Sequence, residues 1–173
     1  MLKKNIVLIL LTGLILTSCE DDEPATPPPT PPPTLLLSSS FSSITVGDSK
    51  ALSIELADME TSVFGVSMLI SYNTTVVEVD TNNSFEQGAY FGTNAIYLFE
   101  RVEDEIHFSI TEVWGDDMVS GTGKLCDFEV KGLTPGTSIF TIIPDEIYFI
   151  DTNGEEVVIT DLEVGDLTIT VSD

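Results

Sequence analysis

The run from Phe64 to Val79 is the strongest constraint on what this chain folds into. Val66, Met68, Ile70 and Tyr72 alternate with Gly65, Ser67 and Ser71. This is the period-two pattern of a strand with one buried face. Leu69 falls in the polar phase, so the second face is predicted to be covered in part. Asn73-Thr74-Thr75 is a polar break, and Val76 to Val79 opens another apolar run. The same alternation recurs twice. Ile106, Phe108 and Ile110 alternate with His107 and Ser109, and Cys126, Phe128 and Val130 with Asp127 and Glu129. The expected core therefore contains Val66, Met68, Ile70, Ile106, Phe108, Phe128 and Val130.

The rest of the chain after Leu35 reads the same way. Candidate strands are Leu35 to Ser39, Ala51 to Leu56, Ala95 to Arg101, Thr137 to Ile143, Glu146 to Ile150, Val157 to Ile159 and Leu167 to Val171. Turn signals separate them. Gly47-Asp48, Asn82-Asn83-Ser84 and Glu103-Asp104 mark loops. Thr134-Pro135-Gly136 fits a type II turn. Asn153-Gly154 is a hairpin signal, since both residues tolerate positive φ. No segment sustains a 3.6-residue period with caps. About nine short strands without a long helix predict an all-β sandwich over residues 35–173.

Residues 1–34 have a different character. Lys3 and Lys4 precede the apolar run Ile6 to Leu16. That run is too short for a spanning helix, which needs ~20 residues, and it reads as a signal peptide over residues 1–18. Leu16-Thr17-Ser18-Cys19 resembles a bacterial lipobox, in which Cys19 receives the lipid. The product is then extracytoplasmic and anchored to a membrane. Residues 19–34 form a linker. Glu20-Asp21-Asp22-Glu23 follows the cysteine, and seven of the nine prolines lie between Pro24 and Pro33. Such a segment cannot bury a core; it favours extended polyproline II, rising ~3.1 Å per residue. The acidic run resembles the surface-export signal of some bacterial lipoproteins, which points to the outer-membrane cell surface. In other bacteria, acidic residues there retain a lipoprotein in the inner membrane.

Charge removes one class of partner. The formal net charge is −23, and all 29 acidic residues lie after Cys19, with only four of the six basic ones. Such a field repels phosphate backbones, so nucleic acid is excluded as a partner. Beside Cys19 only Cys126 remains, which rules out an internal disulfide in the mature chain. Cys126 shares the phase of Phe128 and Val130 and reads as a small core residue.

Several stretches, in order, resemble the cohesin family. These are Ile44-Thr-Val-Gly-Asp48, the central run ending in Tyr72-Asn73, Ser120-Gly-Thr-Gly-Lys-Leu-Cys-Asp-Phe-Glu-Val-Lys131, Phe149-Ile-Asp-Thr-Asn-Gly-Glu-Glu156, and the closing strand Gly165 to Val171. The resemblance implies a nine-stranded jelly-roll β-sandwich and a non-catalytic module that docks a dockerin-like protein domain during polysaccharide breakdown. Many such domains project an Asn and an Asp from the central strand. Gly65 and Ser67 stand there, which argues against ordinary type I recognition. With Leu69, Tyr97 and Phe99 they are the candidate partner-binding residues.

Three other chemistries are weaker. Direct carbohydrate binding needs a platform of aromatic rings, with Tyr90, Phe91, Tyr97, Phe99 and Trp114 as candidates. Asp151, Asn153 and Glu155 offer closely spaced oxygens for Ca²⁺ but lack a full EF-hand loop; no other cofactor is expected. A glycosidase needs two carboxyl groups facing each other at a set separation. The adjacent pairs Asp116-Asp117 and Glu155-Glu156 and the run Glu103-Asp104-Glu105 read as solvated turns instead. His107, the lone histidine, sits in a polar phase without an evident nucleophile, so the chain is expected not to be an enzyme.

Overall fold

The computed structural model describes residues 30–81, 84–113 and 117–173, and the following concerns the unit Pro31–Asp173. The lipobox, Cys19 and most of the Pro-rich linker lie outside the described residues, as do Asn82, Asn83, Trp114 and Asp116.

The described residues form thirteen strands in two sheets. One sheet runs β12 (Glu163–Gly165), β1 (Thr34–Ser38), β3 (Ser49–Val63), β9 (Val119–Gly132), β5 (Val77–Val79), with β6 (Glu86–Gln87) also paired to β9. The other runs β2 (Ser43–Thr45), β13 (Leu167–Ser172), β10 (Gly136–Ile142), β4 (Gly65–Ser71), β8 (Glu105–Glu112), β7 (Ala95–Val102). β11 (Tyr148–Ile150) pairs with the first half of β4, as β10 pairs with the second. The result is a jelly-roll sandwich.

The core follows the alternation. Val66, Met68, Ile70, Ile106, Phe108, Phe128 and Val130 are all buried, none more than 3% exposed. Facing pairs such as Met68↔Phe108 and Leu52↔Phe128 put these side chains on the inner faces of both sheets. Phe99 lies 5.2 Å from Phe128, ring centre to ring centre, so the core is bridged by aromatic contact. Cys126 is fully buried among them.

Several local expectations are corrected. Strands outnumber the expected nine because several are only two or three residues long. The strand expected at Ala51 to Leu56 runs on to Val63. It does so through register shifts after Ile54, Leu56 and Met59 and with Asp58 at φ 54°, held by a hydrogen bond from its N–H to Thr122 Oγ1 of 2.9 Å. Opposite the first shift, Ile54 pairs with Cys126 and Glu55 with Lys124, so Leu125 is an extra residue. A bulge of this kind lets consecutive residues point inward, and Leu125 and Cys126 are both buried.

Val157 to Ile159 is not a strand: after the single bridge Ile150↔Glu156 the chain leaves the sheet. The segment Glu146 to Ile150 is split. Pro144–Glu146 is a 3-10 turn and only Tyr148–Ile150 is extended, since Pro144 lacks the N–H that would continue the ladder from β10. Gly136 has φ 159° and begins β10. The type II turn expected there needs about +80° at that position.

Candidate functional site

The outer face of the second sheet carries the most distinctive surface. β11, β4, β8 and β7 lie side by side, and their registers fix two cross-strand rows. One is Ile150, Gly65, Thr111, Ile96; the next is Tyr148, Ser67, Ser109, Leu98. Small residues occupy the middle of both rows and large apolar ones the two flanks. The outcome is a shallow hollow of about 290 Å³, lined by Ser67, Ser109 and Thr111 between Tyr148 and Ile150 on one side and Ile96 and Leu98 on the other. A second depression of about 280 Å³ shares Ser67, Ser109, Leu98 and Tyr148 and extends to Leu69, His107 and Glu146.

Ile96, Leu98 and Tyr148 are 60%, 50% and 46% exposed. Single exposed apolar side chains are ordinary, but a contiguous group around a concavity marks a binding surface. Its surroundings are acidic. His107 Nε2 lies 3.9 Å from Glu105 Oε2, Glu100 stands across from His107, and Glu112 pairs with Ala95 at the far end.

The candidate partner-binding residues divide on this map. Gly65, Ser67 and Leu69 share the outer phase of β4, as alternation predicts. Gly65 itself is covered. A Cβ there would come within 2.8 Å of the Thr111 side chain, so the position is small because its neighbour leans across it. Ser67 and Leu69 are half-buried. Tyr97 and Phe99 take the opposite phase of β7. Phe99 is buried against Phe128 and is withdrawn as a contact residue. Tyr97 is half exposed and stacks on Phe85 at 3.8 Å. Ile96, Leu98, Ser109 and Tyr148, which form most of the hollow, are not singled out by the sequence. Their strand phases are readable, but their adjacency depends on register across four strands.

Among the described residues the aromatic candidates do not form a platform. Tyr90 and Phe91 are buried with rings at 82° to each other. They belong to a loop fastened to β9 by hydrogen bonds from Gly88 N–H to Leu125 O and from Tyr90 N–H to Lys124 O. Burial pushes the Tyr90 phenol up to about 12. A further hollow of about 450 Å³ lies elsewhere, with Glu78 and Glu129 beside Arg101 and Lys131. Among the described residues no aromatic side chain lines it.

The Asp151 loop is a turn. Asp151 Oδ1 accepts hydrogen bonds from the N–H groups of Asn153 at 2.8 Å and Glu155 at 2.9 Å, and Oδ2 accepts one from Asn153 Nδ2 at 3.3 Å. The Glu155 N–H, followed by the other donors, holds this carboxyl below its usual range. Its oxygens are thus engaged within the loop. Among the described residues no group of three or more His, Cys, Asp or Glu side chains is placed to hold a metal ion.

Comparison with solved structures identifies the fold. A type II cohesin domain from the cellulosome of Acetivibrio cellulolyticus superposes with TM-score 0.67 at 18% identity, covering 80% of this chain and 95% of that one. A non-cellulosomal cohesin from Archaeoglobus fulgidus gives 0.62 at 16% identity, with 83% and 93% covered. A type I cohesin–dockerin complex from Clostridium thermocellum gives 0.62 at 12% identity, with 82% and 100% covered. No protein-family model matches the chain, and no curated protein matches its sequence. At these identities the likeness is one of fold, and the domain is cohesin-like.

Proposed function

We propose that this domain is a non-catalytic docking module that binds a dockerin-like protein domain through the outer face of β11, β4, β8 and β7. The observation that carries the reading is the contiguous apolar hollow between Tyr148 and Leu98, floored by Ser67 and Ser109. Small residues on the floor admit side chains from a partner, and the apolar flanks gain from being covered, at about 25 cal/mol per Å² of apolar surface removed from water. Solved neighbours in complex with dockerins support the class of partner. Small residues at the centre of the face, Gly65 and Ser67 where an Asn and an Asp stand in many cohesins, leave the apolar flanks to carry the contact, which therefore depends on packing. Charged pairs contribute at the rim, where they act mainly on the association rate.

The placement belongs to the same proposal. Leu16 to Cys19 supplies the lipid attachment, and the Pro-Thr linker holds the domain away from the membrane at the cell surface, where a docking module for polysaccharide breakdown would work. Changing Cys19→Ala should release the protein from detergent-extracted membranes, and protease added to intact cells should cleave the wild type. Continued membrane association of the variant would refute the anchor.

The docking test is a pull-down from the native secretome beside a panel of insoluble polysaccharides. Wild-type protein should capture a protein partner. Ser67→Lys and Leu98→Lys place charge in the hollow and should each weaken capture at least about 30-fold, the scale of a central contact worth about 2 kcal/mol. Circular dichroism should confirm that both variants remain folded. Retention by polysaccharide alone, unaffected by these changes, would replace the docking reading with direct carbohydrate binding.

A further inference from the structure

Among the described residues the second sheet ends at β7, with no strand paired to its outer edge. β7 pairs with β8 along its whole length, from Ala95↔Glu112 to Val102↔Glu105, without a register shift. Among the described residues no backbone hydrogen bond reaches its other side. An unpaired strand edge presents a row of N–H and C=O groups that templates another strand. Native edges are usually blunted by proline, bulges or lysine, or kept very short. β7 has eight residues with no proline, lysine or bulge, and its edge charges are confined to Glu100 and Arg101 near its C-terminal end. Its outer phase is apolar at Ile96, Leu98 and Val102, all well exposed, and Glu100 interrupts the row.

A second copy of the chain is a poor occupant. Each molecule carries a net charge of −23, and the β7–β8 hairpin itself contributes Glu100, Glu103, Asp104, Glu105 and Glu112. We propose that the free edge of β7 takes up an extended segment of a partner protein as an additional strand, with apolar residues opposite Ile96 and Leu98 and a lysine or arginine opposite Glu100. Main-chain hydrogen bonds supply the affinity, and alternate side chains set the selectivity. Directly opposed side chains on neighbouring strands lie ≈ 4.5–5.5 Å apart, close enough for both contacts. This site goes beyond the docking face: it shares Ile96 and Leu98 with that face's flank but is defined by the backbone ladder of β7. The face is read by side chains, whereas the edge is read by backbone.

The probe is an octapeptide with valine, valine and lysine at three successive alternate positions and threonine between them, titrated into the folded protein while amide hydrogen exchange is followed by NMR. The outward-facing amides of β7 should exchange at least about tenfold more slowly with peptide bound. A peptide N-methylated at alternate residues keeps the charge but cannot complete the ladder, and should give no protection. The same peptide with glutamate in place of its lysine should also fail, and Glu100→Lys should reduce affinity for the lysine peptide several-fold. Shifts confined to Ser67, Ser109 and Tyr148, with β7 amides unprotected, would place the peptide on the face and overturn the proposal. Equal binding by the N-methylated peptide would overturn it too, as would protection of β7 that grows with protein concentration when no peptide is present.

Discussion

Replacing Phe128 with alanine should lower the unfolding free energy by about 3–5 kcal/mol, the range for deleting a buried aromatic side chain. The residue is fully buried, faces Leu52 across the β3–β9 ladder, and touches the Phe99 ring of the other sheet. Its loss therefore leaves a void between the sheets that neither can close without moving against its neighbours. A domain of this size has about 5–15 kcal/mol in total, so the variant should show a much lower urea midpoint and could be largely unfolded at 37 °C. Phe128→Leu keeps most of the volume and should cost under about 1.5 kcal/mol. Similar midpoints for the two variants would show that Phe128 does not bridge the sheets as described.

Cys126 provides the second large effect. In a chain carrying Cys19→Ser it is the lone thiol, since the sequence has two cysteines. Burial pushes its thiol far up, with the neighbouring Asp127 adding to the shift, and the Ile54 backbone and Lys124 only partly oppose it. The thiolate is the species that reacts with iodoacetamide. Modification at pH 8 should therefore run at least about a thousandfold slower than in the urea-unfolded chain, limited by the small population of open molecules. The two predictions are linked. If Phe128→Ala costs about 3–5 kcal/mol, it should accelerate labelling by about 100-fold or more, at 1.4 kcal/mol per factor of ten. Labelling of the folded wild type at the unfolded rate would mean that Cys126 is accessible.

How much of this was legible in the sequence depended on distance along the chain. β4, β8 and the second half of β9 were readable because one face of each is buried, so burial imposes a period of two on nearby residues. The first half of β9 was not, because the extra residue Leu125 places two apolar positions in succession. The long continuation of β3 was hidden for the same reason. Its register shifts and the positive φ of Asp58 break the alternation that a strand reader looks for. Val157 to Ile159 misled in the opposite direction: an apolar run there packs against the core without joining a ladder.

The candidate face shows the same limit. Ser67 and Leu69 came from the phase of one strand. Tyr148, Ser109 and Leu98 became their neighbours only through pairings with β11, β8 and β7, separated by tens of residues. Tyr97 and Phe99 went the other way. Tyr97 and Phe99 share a phase opposite Ile96 and Leu98, but only the position of the first sheet decides which pair faces inward.

The parallel pairings β1–β12 and β2–β13 have a consequence for the order of events when the chain is made. The first two strands of the domain complete their ladders only against its last two, Thr34 with Glu163 and Ile44 with Val171. An emerging chain lacks those partners until nearly all of it has been synthesised. Closing contacts of such high sequence separation is slow, on the millisecond-to-second scale for β-sandwiches, so both sheets keep an incomplete edge until the last strands arrive.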